Sequence, residues 1–289
     1  MTEFLNFLQP HAVWVGGLLG GVMGSFLNVV IYRMPMILER QWQQDAAPQE
    51  VQPPPVASQA LASAPFNLAT PASHCPHCQH PLAWWQNVPV VSYVLLQGRC
   101  HACHARIGWR YLAIELFTAL ALAACFHHWG LSFQALIWSG FICNLLALAV
   151  IDWDTTLLPD PMTQSMTWAG LIVAALGLTP VSLNDALWGA VSGYLSLWLV
   201  YWLFKGLTGK EGMGYGDFKL FAALGAWFGW TALIPLILMA SLAGIAVGLI
   251  LQSRQQLREP HYIPFGPFLA LSAGVYLIWG DIFSRLGWA

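Results

Sequence analysis

Long apolar runs separated by short polar breaks recur along most of this chain. At the roughly 20 helical residues needed to cross about 30 Å of hydrocarbon, they predict helices over 12–32, 111–129, 131–151, 162–179, 183–205, 218–230, 232–251 and 264–283. The pattern therefore predicts an all-α polytopic membrane protein with about eight transmembrane helices. The 218–230 run is the exception, because at about 1.5 Å per residue its length covers only some 20 Å. Either this helix starts inside the membrane plane or the bilayer thins around it.

One sizeable polar region, 33–110, separates the first two runs and predicts three parts of the chain. These are a first transmembrane helix within 1–32, a cytoplasmic region over 33–110 and a seven-helix membrane domain over 111–289. Within the polar region, 41–73 is rich in Gln, Ala and Pro. Such a stretch buries too little apolar surface to offset its ordering entropy, so it reads as largely disordered. No internal repeat is visible.

Composition narrows the class further. With 57% hydrophobic and 8% charged residues, the chain falls far below the quarter or so of charged residues in a soluble domain. A net charge of −2 offers no basic face to phosphates, which argues against a nucleic-acid partner. Membrane lipid is the expected environment, and the 16 tryptophans suit interfacial belts. The N-terminus lacks a basic segment and a small-residue cleavage site, so the first run reads as a retained helix. With eight alternating helices, ten of the 11 Lys and Arg residues fall on one side and Arg285 alone on the other. The positive-inside bias makes that crowded side the cytoplasm.

Two groups of residues carry candidate chemistry. Cys75-Pro76-His77-Cys78 and Cys100-His101-Ala102-Cys103 have the spacing of a four-thiolate zinc site, each Cys-x-x-Cys loop supplying two ligands. They predict a zinc-knuckle module over 74–104, with Cys75, Cys78, Cys100 and Cys103 as ligands to a structural Zn²⁺. Two disulfides or a redox motif are the competing readings, and a reducing cytoplasmic side disfavours the disulfides. The five nearby histidines, 74, 77, 80, 101 and 104, read mostly as surface residues, and Cys125 and Cys143 as small core residues.

The second group is a pair of carboxylates at the ends of apolar runs, Asp152 in Ile151-Asp152-Trp153-Asp154 and Asp217 in Gly212-Met213-Gly214-Tyr215-Gly216-Asp217. Ionisable groups at membrane depth mark functional sites, because hydrocarbon does not solvate them. Two adjacent carboxylates share a proton, so that one activates water while the other polarises a peptide carbonyl, which is aspartic-protease chemistry. The three glycines would permit φ > 0 and close approach of a substrate backbone. Capping of the following helix explains Asp217 equally well from residue type alone. Asp160 before Pro161 reads as a helix cap, and spacing does not separate Asp152 from its rival Asp154.

Taken with Gly24-Ser25-Phe26-Leu27-Asn28-Val29-Val30-Ile31-Tyr32-Arg33, Leu158-Pro159-Asp160 and Pro264-Phe265-Gly266-Pro267-Phe268, these motifs resemble the bacterial type IV prepilin peptidases over nearly the whole chain. The resemblance implies a bifunctional inner-membrane enzyme. It would remove the basic leader of type IV prepilins, or of type II secretion pseudopilins, at the cytoplasmic face. It would then methylate the new N-terminal amine with S-adenosylmethionine. It also implies Asp152 and Asp217 as the catalytic pair, in preference to Asp154. The stretch around 51–64 departs from the family as an insertion in a variable region. Methylation has no glycine-rich loop or alternating strand and helix pattern behind it, which leaves Asn28, Arg33 and Glu115 as cofactor-site candidates beside a reading as interhelical hydrogen bonds. A transporter with a coupling carboxylate pair and a regulatory zinc module is the alternative class, although no repeated halves are visible. A presenilin-type protease would carry a Pro-Ala-Leu motif that is missing here.

Overall fold

The computed structural model describes residues 9–46, 66–254 and 263–285. Nine α-helices follow one another among them: α1 Ala12–Ala46, α2 Val91–Leu95, α3 Trp109–Trp129, α4 Phe133–Thr155, α5 Asp160–Ala175, α6 Leu183–Thr208, α7 Tyr215–Phe228, α8 Leu233–Ser253 and α9 Gly266–Arg285. No strand longer than an isolated bridge occurs among the described residues. Five helices are long and apolar enough to cross a membrane, namely α1, α3, α4, α6 and α8. The all-α membrane class holds, with α5, α7 and the apolar part of α9 shorter than a full span. The chain forms two compact units, Met1–Ser139 and Gly140–Ala289, dividing within α4.

In the first unit, α1 and α3 pack along a stripe of small residues. A Cβ on Gly16 would lie 2.7 Å from the Leu122 carbonyl oxygen, one on Gly20 2.5 Å from that of Thr118, and one on Gly24 2.7 Å from the Glu115 Cα. The spacing i, i+4, i+8 puts the three on one face, and without a hydrophobic drive between helices in lipid, close backbone approach supplies the attraction. This Gly16-x₃-Gly20-x₃-Gly24 repeat is plain in the sequence, and counting apolar runs alone passes over it. Gly20→Val should therefore force the helices apart. The expected loss is about 3 kcal/mol or more, the upper range for overpacking, read as a lowered unfolding midpoint in detergent.

Helix α1 does not stop at residue 32. It runs to Ala46, through Pro35, because its second half has a partner. Buried Arg33 donates from Nη1 to the Asn67 carbonyl (3.0 Å) and from Nη2 to that of Pro71 (2.7 Å). Arg40 stacks over the Phe66 ring, 3.9 Å from its centroid. Of the 41–73 stretch expected to be disordered, 41–46 is thus helix and 66–73 is held against α1. Residues 47–65 lie outside the described residues.

In the second unit, α7 is the centre. Its 14 residues are buried almost continuously from Asp217 to Trp227, and α5, α6, α8 and α9 pack around it. A helix that is apolar all round belongs inside protein. Its short length, about 21 Å, therefore needs no thinned bilayer, since neighbours and not lipid surround it. Gly189 and Gly225 bring α6 and α7 into backbone contact. Opposite them, Trp227 Nε1 donates to the Met166 carbonyl of α5 at 2.8 Å and lies against Gly170.

Candidate active site and metal centre

The last residues of α4, the first turn of α7 and the start of α9 converge in the second unit. Asp152 sits in the last turn of α4 and Asp217 in the first turn of α7. Both are buried, with 4% and 3% of their surface exposed, and they lie close enough for Asp217 to feel the charge of Asp152. Asp154, two residues on, is exposed. The structure therefore brings Asp152, and not Asp154, to Asp217.

The surrounding backbone explains how these carboxylates are held. Asp152 Oδ2 accepts a hydrogen bond from the Gly266 amide at 2.9 Å. A Cβ on Gly266 would stand 2.6 Å from that same oxygen, so only glycine lets the start of α9 approach so closely. Past α4 the chain turns at Thr156 (φ 55°) and its amide closes on the Asp152 carbonyl at 2.8 Å. That turn sends buried Leu158 between two glycines. A Cβ on Gly216 would meet Leu158 Cβ at 2.7 Å and one on Gly266 would meet its Cδ2 at 3.3 Å. Leu158 and Gly266 are site residues that motif reading quoted without giving them a role. A glycine flanked by Pro264, Phe265 and Pro267 was the available signal.

The glycines around Asp217 serve differently from the expectation. None of Gly212, Gly214 and Gly216 is among the glycines with positive φ. Gly212 faces the Phe204 ring and Gly216 receives Leu158, so both admit the protein's own side chains. Gly214 is the N-cap of α7 in extended conformation. Asp217 is the third helical residue, and its carboxylate faces the Gly214 amide. No side-chain hydrogen bond caps the helix, so Asp217 meets the helix end only through its charge in the first turn, not as a cap. Asp160 is not a cap either. It is the first residue of α5, after an N-cap at Pro159, and both its oxygens accept from Lys219 Nζ, at 2.6 and 2.7 Å. That pair ties the start of α5 to the start of α7.

Gly266→Ala should displace the Asp152 carboxylate without changing its chemistry. We expect turnover to fall by about 10²-fold, the cost of a misplacement near 1 Å, with KM little altered in a steady-state cleavage assay.

The first unit carries the sulfur cluster. The two Cys-x-x-Cys loops are built alike, which makes them a short structural repeat. In each, the amide after the second cysteine closes on the first: Gln79 to the Cys75 carbonyl at 2.9 Å and His104 to that of Cys100 at 3.0 Å. Gln79 and His104 both have positive φ (58° and 55°), and the bridges His74–Pro81 and Arg99–Arg106 close the two loops. All four sulfurs lie within 4.8 Å of one another, with Cys75–Cys103 at 3.8 Å and Cys78–Cys100 at 4.0 Å. A tetrahedron with Zn–S near 2.3 Å has edges of about 3.8 Å, so the donor set fits zinc. The Cys100 thiol is pulled down to about 6 by the backbone amides of Cys103 and Ala102. Cys103 goes up to about 11: the Ala105 amide lowers it, but desolvation and the neighbouring thiols outweigh that pull. A dication resolves such competition by favouring thiolate at every ligand.

The three expected methyl-donor residues all lie in this unit, and each is engaged with its backbone. Asn28 Nδ2 donates to the Tyr111 carbonyl (3.2 Å), Arg33 clasps the 67–71 turn, and Glu115 Oε2 accepts from the Val90 amide (2.8 Å). Those bonds brace the backbone of this unit.

Two family models match this chain: the bacterial peptidase A24 N-terminal domain over residues 18–129, and the type IV leader peptidase family over residues 139–249. They fall one to each compact unit. Among curated relatives, the prepilin leader peptidase/N-methyltransferase of Stutzerimonas stutzeri is 48% identical over 97% of this chain and 95% of its own length. Those of Pseudomonas aeruginosa and Pseudomonas putida are 47% and 46% identical, each over 97% of this chain and 96% and 95% of their own lengths. No solved structure matches. Nothing in these matches supports a transporter.

Proposed function

Because the chain belongs to the bacterial prepilin leader peptidase/N-methyltransferase family, we propose that it cleaves the leader from type IV prepilins, or from type II secretion pseudopilins, with Asp152 and Asp217 as the catalytic pair. It is a membrane-embedded peptidase with N-methyltransferase activity. The observation that carries the assignment is that these two buried carboxylates, from separate helices, flank the contact of Leu158 with Gly216 and Gly266. One carboxylate takes a proton from the attacking water while the other donates its proton to the scissile carbonyl oxygen. The tetrahedral intermediate then collapses, the C–N bond breaks and the leaving amine takes a proton. The Gly266 amide holds Asp152 Oδ2, which leaves the other oxygen for water.

The enzyme sits in the inner membrane with both aspartates and the cysteine module toward the cytoplasm, as the Lys and Arg distribution supports. A prepilin inserted with its basic leader on that side presents the scissile bond at the same interface. S-adenosylmethionine supplies an electrophilic methyl group to the amine that cleavage exposes. Zinc held by Cys75, Cys78, Cys100 and Cys103 is structural. The test is to incubate the purified protein with a prepilin, with and without S-adenosylmethionine, and weigh the product. Loss of the leader mass in both samples and one added methyl in the first is the expected result. An uncut prepilin overturns the assignment.

A further inference from the structure

The segment between the two knuckles, Trp84-Trp85-Gln86-Asn87-Val88-Pro89-Val90-Val91-Ser92-Tyr93-Val94-Leu95-Leu96, carries no charged residue. It was counted above as part of the polar region, yet its contacts lie well inside the α1–α3 pair. The antiparallel register of that pair provides a ruler: Asn28 lies beside Tyr111, Gly24 beside Glu115 and Gly20 beside Thr118. On this ruler the ends of the pair are Trp109-Arg110 on α3 and, level with them, Val30-Val29 on α1.

The segment attaches far below those ends. Val90 N–H donates to Glu115 Oε2 at 2.8 Å, six residues past Trp109, and at 1.5 Å per residue that is about 9 Å inside. Pro89 lies 3.5 Å from where a Gly21 Cβ would stand, at about the level of Thr118 and so nine residues past Trp109, or about 13 Å inside. Half the hydrocarbon thickness is about 15 Å. Ser25 Oγ also donates to the Asn87 carbonyl at 3.4 Å.

Non-helical backbone survives at such depth only when protein satisfies its polar groups, and here it does. Gln86 N–H reaches the Ala83 carbonyl, Val88 that of Trp85, Val91 that of Pro89 and Ser92 that of Val88. The tip is a γ-turn centred on Val90 (φ 61°, ψ −49°). A β-branched residue rarely adopts that conformation, and the Glu115 bond and the Pro89 contact hold it there. The outward side is apolar, with Val91, Val94 and Leu95 exposed at 52%, 65% and 69%. Leu18, Val22 and Leu120 on α1 and α3 are exposed apolar residues too. At the other end, Tyr93 Oη donates to the Ile107 carbonyl at 3.4 Å and Trp85 meets the His101 ring edge-on, which joins the segment to the second knuckle.

We propose that residues 84–96 form a re-entrant element seated in the leaflet on the side of the cysteine module, with lipid acyl chains as the partner of Val91, Val94 and Leu95. The element anchors the module to the bilayer surface. It rests on the reading of α1 and α3 as membrane spans. The test places single cysteines at Val94, Leu95, Leu120 and Ala69 in the full chain, reconstituted in phosphatidylethanolamine and phosphatidylglycerol vesicles. A charged maleimide is loaded on both sides by freeze–thaw, and labelling of the unsubstituted chain is subtracted. Only a hydrated thiolate reacts quickly, so Val94→Cys and Leu95→Cys should label about tenfold or more slowly than Ala69→Cys, and as slowly as Leu120→Cys. Labelling at Val94→Cys and Leu95→Cys as fast as at Ala69→Cys, with Leu120→Cys protected, overturns the re-entrant element alone. Fast labelling at Leu120→Cys as well overturns the spans and the element with them.

Discussion

Asp152→Asn and Asp217→Asn should each abolish leader cleavage, lowering turnover by about 10³-fold or more, within the range set by loss of positioned acid–base catalysis. Each replacement keeps the volume of the buried side chain. In Asp152→Asn the new amide oxygen still accepts the Gly266 N–H that Asp152 Oδ2 accepts at 2.9 Å. Neither change opens a cavity, and each replaces an ionisable group in a buried site with a neutral one that costs less to desolvate. Loss of activity should therefore come with an unfolding midpoint equal to or above that of the unsubstituted protein, the sign expected where a site trades stability for chemistry. Cleavage of a purified prepilin by mass spectrometry and thermal unfolding in detergent measure the two halves. Substantial turnover by either variant would remove the pair from the mechanism, and a large stability loss would recast it as a structural brace. Asp154→Asn, at an exposed position, should leave both readouts near their starting values.

Cys75→Ser combined with Cys100→Ser should empty the metal centre. The pair removes one buried ligand from each knuckle. Binding of structural zinc to four thiolates is worth about 10–16 kcal/mol in small modules, far more than loops of this size gain from their own packing. Elemental analysis should fall from about one zinc per chain to none. Amide exchange across 74–104 should rise as the paired turns at Gln79 and His104 lose their anchor. Cys125→Ser, inside α3 and away from the cluster, is the control and should retain the metal. Zinc kept by the double variant, or a disulfide found among the four cysteines, would refute the centre.

These two sites were legible to different degrees. The four-cysteine cluster is readable because each knuckle is local: two cysteines three residues apart already bring two sulfurs together. The partnership of Asp152 and Asp217 is less so, since 65 positions separate them and no local spacing says that the end of α4 faces the start of α7. Choosing Asp152 over Asp154 took a family resemblance at the sequence level. Burial of one and exposure of the other give it a physical basis in the fold.

Glycine was the residue type most open to misreading. Free φ and room for a substrate look the same in a sequence as a slot for a neighbour. Gly216 turns out to be the slot for Leu158, and Gly266 the slot for the Asp152 carboxylate. The limits of α1 misled for a related reason. Arg33 and Arg40 look like the polar end of a span, yet in the fold they clasp Phe66 to Pro71 and carry the helix on to Ala46.

By itself the sequence determined the all-helical membrane class, the apolar runs and the two Cys-x-x-Cys loops, because hydrocarbon and tight loops impose rules that act over a few residues. Tertiary structure alone decided which carboxylates meet, why α7 can be short, which glycines are slots, and that an apolar stretch of a polar region lies deep beside α1 and α3. Each of these depends on backbones brought together from distant parts of the chain, and close approach of that kind leaves no mark on local spacing.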